Sequence, residues 1–139
     1  MKKLLVYSIF FLVMACGKNP ESFIPHLNGY WEIDEVTLPD GSKRDYTYND
    51  TVDYLSVTDS LTGFRKKMKP SFDGTYTTSD DAESLKLKIE NDSLNVYYTT
   101  PYAQWKETVL NATEDALLIV NEQNVRYLYK RFEPITVEK

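Results

Sequence analysis

The stretch Leu85-Lys86-Leu87-Lys88-Ile89-Glu90, followed by Asn91-Asp92-Ser93 and then Leu94-Asn95-Val96-Tyr97-Tyr98, decides the fold class. In the first run every second residue is apolar, so Leu85, Leu87 and Ile89 share one face of a strand and Lys86, Lys88 and Glu90 the other. Such a strand has one wet face. Asn91-Asp92 is a turn signal, and the aromatic and β-branched residues after it suit a second strand, so the two runs predict a hairpin.

Working outward, breaks recur at Pro39-Asp40-Gly41, Thr62-Gly63, Asp73-Gly74, Asp80-Asp81, Thr113-Glu114-Asp115 and Asn121-Glu122-Gln123-Asn124. Between them lie Tyr-, Val-, Ile-, Thr- and Phe-rich runs that predict strands near 29–37, 51–58, 63–69, 74–79, 85–90, 94–100, 104–112, 116–121 and 124–132. The run Ala116-Leu117-Leu118-Ile119-Val120 is apolar without alternation, which predicts cover on both faces. No segment has a helical period. Sequential hairpins without long crossovers predict an all-β, antiparallel up-and-down meander of about eight or nine strands, and closing it into a small barrel removes its edges.

Composition narrows the function. The chain of 139 residues is long enough for one domain. One Cys rules out an internal disulfide, and one His beside it leaves no material for the usual Cys/His zinc site. A net charge of -5 disfavours nucleic acid, which requires a basic face. No nucleotide loop, nucleophile elbow or His-containing metal motif occurs, and no cofactor is expected.

The first 15 residues read as an export signal, with Lys2 and Lys3 before the apolar run Leu4 to Ala15. At about 1.5 Å per residue that run reaches only about 18 Å as a helix, too short for a permanent span. Its end, Val13-Met14-Ala15-Cys16, resembles the lipobox of bacterial lipoproteins, as does Gly17 after it. The resemblance implies cleavage before Cys16, acylation of its thiol, palmitate among the acyl chains, and attachment to the outer membrane, facing either the periplasm or the surface. Two or more chains give stable anchoring. Cleavage removes both n-region lysines and leaves 14 basic residues against 21 acidic ones. Residues 16–27 then read as the lipidated Cys and a Pro-containing tether. His26, with no acidic or thiol neighbour, reads as a linker residue.

The folded domain is expected over 28–139. It opens on Asn28-Gly29-Tyr30-Trp31, which resembles the Gly-x-Trp signature of lipocalins and lipocalin-like proteins. In that family the Trp plugs the closed end of an eight-stranded barrel and an Arg late in the last strand packs across it. Here the resemblance assigns those roles to Gly29, Trp31 and Arg131. It also implies a non-enzymatic barrel that takes a small apolar or amphipathic ligand.

Two clusters could line such a calyx. In Phe64-Arg65-Lys66-Lys67-Met68-Lys69, alternation sets Lys66 and Met68 with Phe64, so the expectation is that Lys66 faces inward, either toward a ligand headgroup or snorkelling, while Arg65, Lys67 and Lys69 face out. Tyr97, Tyr98, Tyr102 and Trp105 surround a Thr-Thr-Pro turn, and Tyr127 and Tyr129 lie on the last strand, as pocket wall or ordinary core. The carboxylates Asp34/Glu35, Asp80/Asp81/Glu83 and Glu114/Asp115 are the only candidates for acid–base work, and the latter two groups fall in turns, where acids are solvated. Asp50-Thr51, Asp59-Ser60 and Asp92-Ser93 resemble a short bacterial O-glycosylation acceptor. The alternative to a ligand-binding calyx is a filled barrel serving as an accessory or protein-binding lipoprotein of the cell envelope.

Overall fold

The computed structural model describes residues 19–46, 49–71, 75–78 and 82–133. The leader 1–15, Cys16, Gly17, and the Asp73-Gly74 and Asp80-Asp81 breaks lie outside the described residues. A 3-10 helix, η1 (Pro20–His26), is followed by β1 (Gly29–Thr37), β2 (Lys43–Asp45), β3 (Val52–Val57), β4 (Thr62–Pro70), β5 (Tyr76–Thr78), β6 (Glu83–Glu90), β7 (Ser93–Thr99), β8 (Gln104–Ala112), β9 (Ala116–Asn121) and β10 (Arg126–Arg131). Neighbouring strands pair antiparallel in the order β1-β3-β4-β6-β7-β8-β9-β10, and β10 returns to β1, so eight strands close a ring. The short strands β2 and β5 extend the sheet beside β1 and β4.

The hairpin at 85–98 forms in the expected register, from Leu85↔Tyr98 to Glu90↔Ser93. Its two-residue loop has positive φ at both Asn91 (50°) and Asp92 (62°). That is the type I′ geometry whose twist matches the flanking strands, and Asn and Asp are among the few non-glycine residues that tolerate it. Leu85 and Leu87 are buried as their alternation requires, whereas Ile89, at the strand's end, is 40% exposed. On β9 the inner residues Leu117 and Ile119 are buried and the outer Leu118 and Val120 half-buried. Both faces are therefore partly covered.

Two expectations fail locally. Residues 20–26 are not tether: Asn19 caps η1 by accepting the Glu21 N–H at 3.1 Å, Pro20 starts the helix, and Phe23 and Leu27 are buried in the barrel core. The physical reason is that a barrel end needs apolar cover, which these two side chains provide. The break placed at Thr62-Gly63 lies within β4, and the turn itself is Asp59-Ser60-Leu61, with Leu61 at φ 61°.

Chain direction gives the barrel two unlike ends. The β3–β4, β6–β7 and β8–β9 turns, η1, the start of β1 and the end of β10 share the closed end. The β7–β8 and β9–β10 turns, with the long connections that carry β2 and β5, share the open end.

Candidate functional site

At the closed end Trp31 is 1% exposed, and its indole N–H donates to the Leu27 carbonyl at 2.9 Å. Trp31 and Arg131 are cross-strand partners on β1 and β10, and the guanidinium carbon sits 3.8 Å from the indole ring centre. All three guanidinium nitrogens donate to main-chain carbonyls: Nε to Glu114 (2.8 Å), Nη1 to Asn28 (2.7 Å) and Nη2 to His26 (2.9 Å). One side chain thus ties β10, the β8–β9 turn and η1 together. Gly29 has φ +129°, and a Cβ there would lie 2.5 Å from Arg131 Nη1. Both the backbone conformation and the close approach call for glycine. Partial burial lowers the Arg131 pKa, against the opposing pull of Glu114 and Asp115.

All eight ring strands line the interior, and their lining is mostly aliphatic: Leu55, Leu85, Leu87, Val96, Val109 and Ile119 are among its walls. The cavity left between them is about 20 Å³. That holds about one water molecule.

Above this apolar floor, toward the open end, lies a charged cluster. Arg65 on β4 donates Nη2 to Glu83 Oε2 at 2.9 Å and Nε to Glu83 Oε1 at 3.3 Å, and Nη1 reaches Glu107 Oε2 at 3.4 Å and the Tyr98 hydroxyl at 3.3 Å. Its guanidinium carbon lies 4.2 Å from the centre of the Tyr98 ring, and Tyr98 in turn stacks on Trp105 at 5.3 Å. Nearer the rim Lys67 meets Asp53 at 3.6 Å. Burial pushes Glu107 above the usual carboxylate range, more than Arg65 pulls it down. Burial also works against the charge on Arg65, but Tyr98, Glu107 and Glu83 outweigh it and raise its pKa. The Tyr98 and Tyr129 hydroxyls are raised by burial as well.

This arrangement corrects the reading of β4. Arg65 faces the interior, and Lys66 lies outside, its ammonium 5.7 Å from the Phe64 ring centre. Met68, half-buried, shares that outer face, opposite Val52. Pairing explains the inversion. The β3 residues Asp53, Leu55 and Val57 line the interior, and in the observed register they stand opposite Lys67, Arg65 and Gly63. Phe64 packs instead against Tyr54 on the outer surface, with ring centres 6.0 Å apart, and Tyr54 against Tyr30.

Of the aromatic candidates, Tyr98 and Tyr129 line the interior, while Trp105 and Tyr127 pack against the core nearer the open end. Tyr97 lies on the outer face, its hydroxyl bonded to Glu90 and its ring 5.2 Å from Lys88 Nζ. Tyr97, Tyr98 and Trp105 do meet at the rim, around an open cleft of about 310 Å³. Among the carboxylate candidates Glu83 joins the interior cluster, Glu35 pairs with Lys43 at 3.4 Å, and Glu114 and Asp115 offer main-chain carbonyls to Arg131. Glu107 and Asp53 were not singled out from sequence. For Glu107 the signal was present, since it alternates with Trp105 and Val109 and so shares their inward face.

A closed eight-strand antiparallel barrel, plugged by a short helix and filled by side chains, is one of the two states open to a barrel of this size, the other being a calyx with one small ligand. The sequence pattern of the lipocalin-like domain family matches residues 27–118, and the chain belongs to that family. Two solved structures are similar to it: a lipocalin-like protein from Bacteroides uniformis (TM-score 0.48, 11% identity, 77% of this chain and 99% of that one) and an uncharacterized protein from Bacteroides eggerthii (TM-score 0.47, 11% identity, 76% and 99%). No curated protein matches the sequence.

Proposed function

We propose that this chain is a non-enzymatic lipoprotein of the cell envelope, anchored in the outer membrane through acylated Cys16, whose lipocalin-like barrel is a filled scaffold acting through its outer face and rim. The observation that carries the reading is the interior. A cavity of about 20 Å³ stands against the roughly 300 Å³ or more that a small-molecule site needs. The inward-facing Arg65 is already matched by Glu83 and Glu107. An anionic headgroup would have to displace both carboxylates.

Mass spectrometry of an organic extract of the protein, purified at low detergent, tests this. No stoichiometric small molecule is expected, and one bound per chain overturns it. For the anchor, labelled palmitate is expected in the wild type and absent from Cys16→Ala; equal labelling of the two removes the lipoprotein reading.

A second reading keeps the barrel as a binder of a small apolar or amphipathic ligand. It is favoured by the almost wholly aliphatic lining beneath Arg65, Tyr98 and Tyr129. The fold supports such a role, provided that interior side chains move to admit the guest.

A further inference from the structure

The geometry points to the rim cleft as a binding subsite for a neutral saccharide. The inference rests on the reading that the barrel works through its outer surface and rim. The cleft follows from strand register. On its β7 side β8 is paired from Gln104 onward, through Thr99↔Gln104, Tyr98↔Trp105 and Tyr97↔Lys106. On its β9 side pairing starts only at Glu107↔Asn121. Gln104 to Lys106 therefore project past the end of β9. The resulting opening, about 310 Å³, is lined by Tyr97, Thr99, Gln104, Trp105, Lys106 and Glu122, with Tyr98 at its edge. In place of a β9 partner, the Lys106 N–H donates to Glu122 Oε1 at 2.8 Å.

The aromatic part of the lining is already held in place. Trp105 is stacked on Tyr98 with 16° between the planes. The Tyr97 hydroxyl is bonded to Glu90, which also accepts from Asn95 at 3.1 Å. Side chains held in this way lose little freedom when a ligand arrives. Chemically the cleft interleaves aromatic surface with the amide of Gln104, the hydroxyl of Thr99, one ammonium and one carboxylate. A sugar ring offers a C–H face to the aromatics and hydroxyls that donate and accept to the rest. The single Lys106 and single Glu122 balance, which disfavours phosphate and amine ligands alike. The lining is too polar for an acyl chain. A peptide adding to the edge of β8 would find only three residues before β9 begins.

The chain has two tryptophans, and Trp31 is sealed at the far end, so a ligand-induced change in emission reports Trp105. The full chain is titrated with neutral tetrasaccharides of glucose, mannose and N-acetylglucosamine, and with oleate. At least one saccharide is expected to shift the emission saturably. Gln104→Ala, at an exposed position, should weaken that binding about fivefold or more, and Trp105→Phe should abolish the signal while amide shifts at 97–106 and 122 persist. No response to any of the three saccharides, a response to oleate alone, or undiminished binding by Gln104→Ala overturns the proposal. A lipid found inside the barrel together with saccharide binding at the rim would overturn the filled-barrel reading and leave this one standing.

Discussion

The guanidinium of Arg131 sits over the indole of Trp31, its carbon 3.8 Å from the ring centre, joining the last strand of the barrel to the first. Trp31 is 1% exposed, so Trp31→Ala is expected to cost about 3–5 kcal/mol in urea unfolding. Arg131→Ala removes the cation–π contact and three charge-assisted bonds and should cost about 2 kcal/mol. The two losses should not add, because each variant already abolishes the shared contact.

Gly29→Ala tests the close approach at the same place. The substitution meets Arg131 Nη1 and also demands a positive φ that alanine rarely adopts. The expected loss is about 1–3 kcal/mol. Adding Arg131→Ala relieves only the clash, so the double variant should remain less stable than Arg131→Ala alone.

Arg65→Met keeps the volume of the interior but strips Glu83 and Glu107 of their cation. Breaking a buried pair in this way costs about 3–5 kcal/mol, and chemical unfolding at neutral pH should show a loss of that order. Acidic buffer should narrow the difference from wild type, since burial raises the Glu107 pKa and a protonated Glu107 no longer needs the guanidinium.

Glu107 makes a separate pH prediction. Its pKa is raised on folding, so between the unfolded and folded titrations the native state binds more protons than the unfolded chain. Stability contributed by this group therefore falls as pH rises through that window, from the ordinary carboxylate range upward. Glu107→Gln should flatten this fall in unfolding curves taken across mildly acidic pH, and should be at least as stable as wild type at neutrality. A steeper fall in the variant would contradict the assignment.

Asp92→Gly probes the hairpin that announced the fold. Position 92 holds φ 62°, which glycine adopts freely, so the variant should gain about 0.5 kcal/mol. Asp92→Val should lose stability by the same argument.

The strands are legible wherever period-two alternation meets a strong turn signal, as at Leu85 to Tyr98, and the ring closes where Trp31 pairs with Arg131. The candidate site was less legible. In β4 the cations Arg65, Lys67 and Lys69 share one side, and on the other a fourth, Lys66, stands between the apolar Phe64 and Met68, so the pattern fits either face. Strand β2, three exposed residues with no apolar member, carries no periodic signal. The helix η1 contains two prolines and one buried side chain, and nothing local distinguishes it from a linker.

By itself the sequence determined an all-β antiparallel meander, because alternation and turn chemistry are properties of neighbouring residues. Only the tertiary structure decided which way Arg65 points, how nearly full the barrel is, and that a cleft opens where β8 outruns β9. Those depend on register between strands distant in sequence: β3 sets Asp53, Leu55 and Val57 against β4, and the end of β9 at Asn121 leaves Gln104 to Lys106 paired with β7 but without a β9 partner. A one-residue slip in either pairing would preserve every local preference and turn the interior inside out.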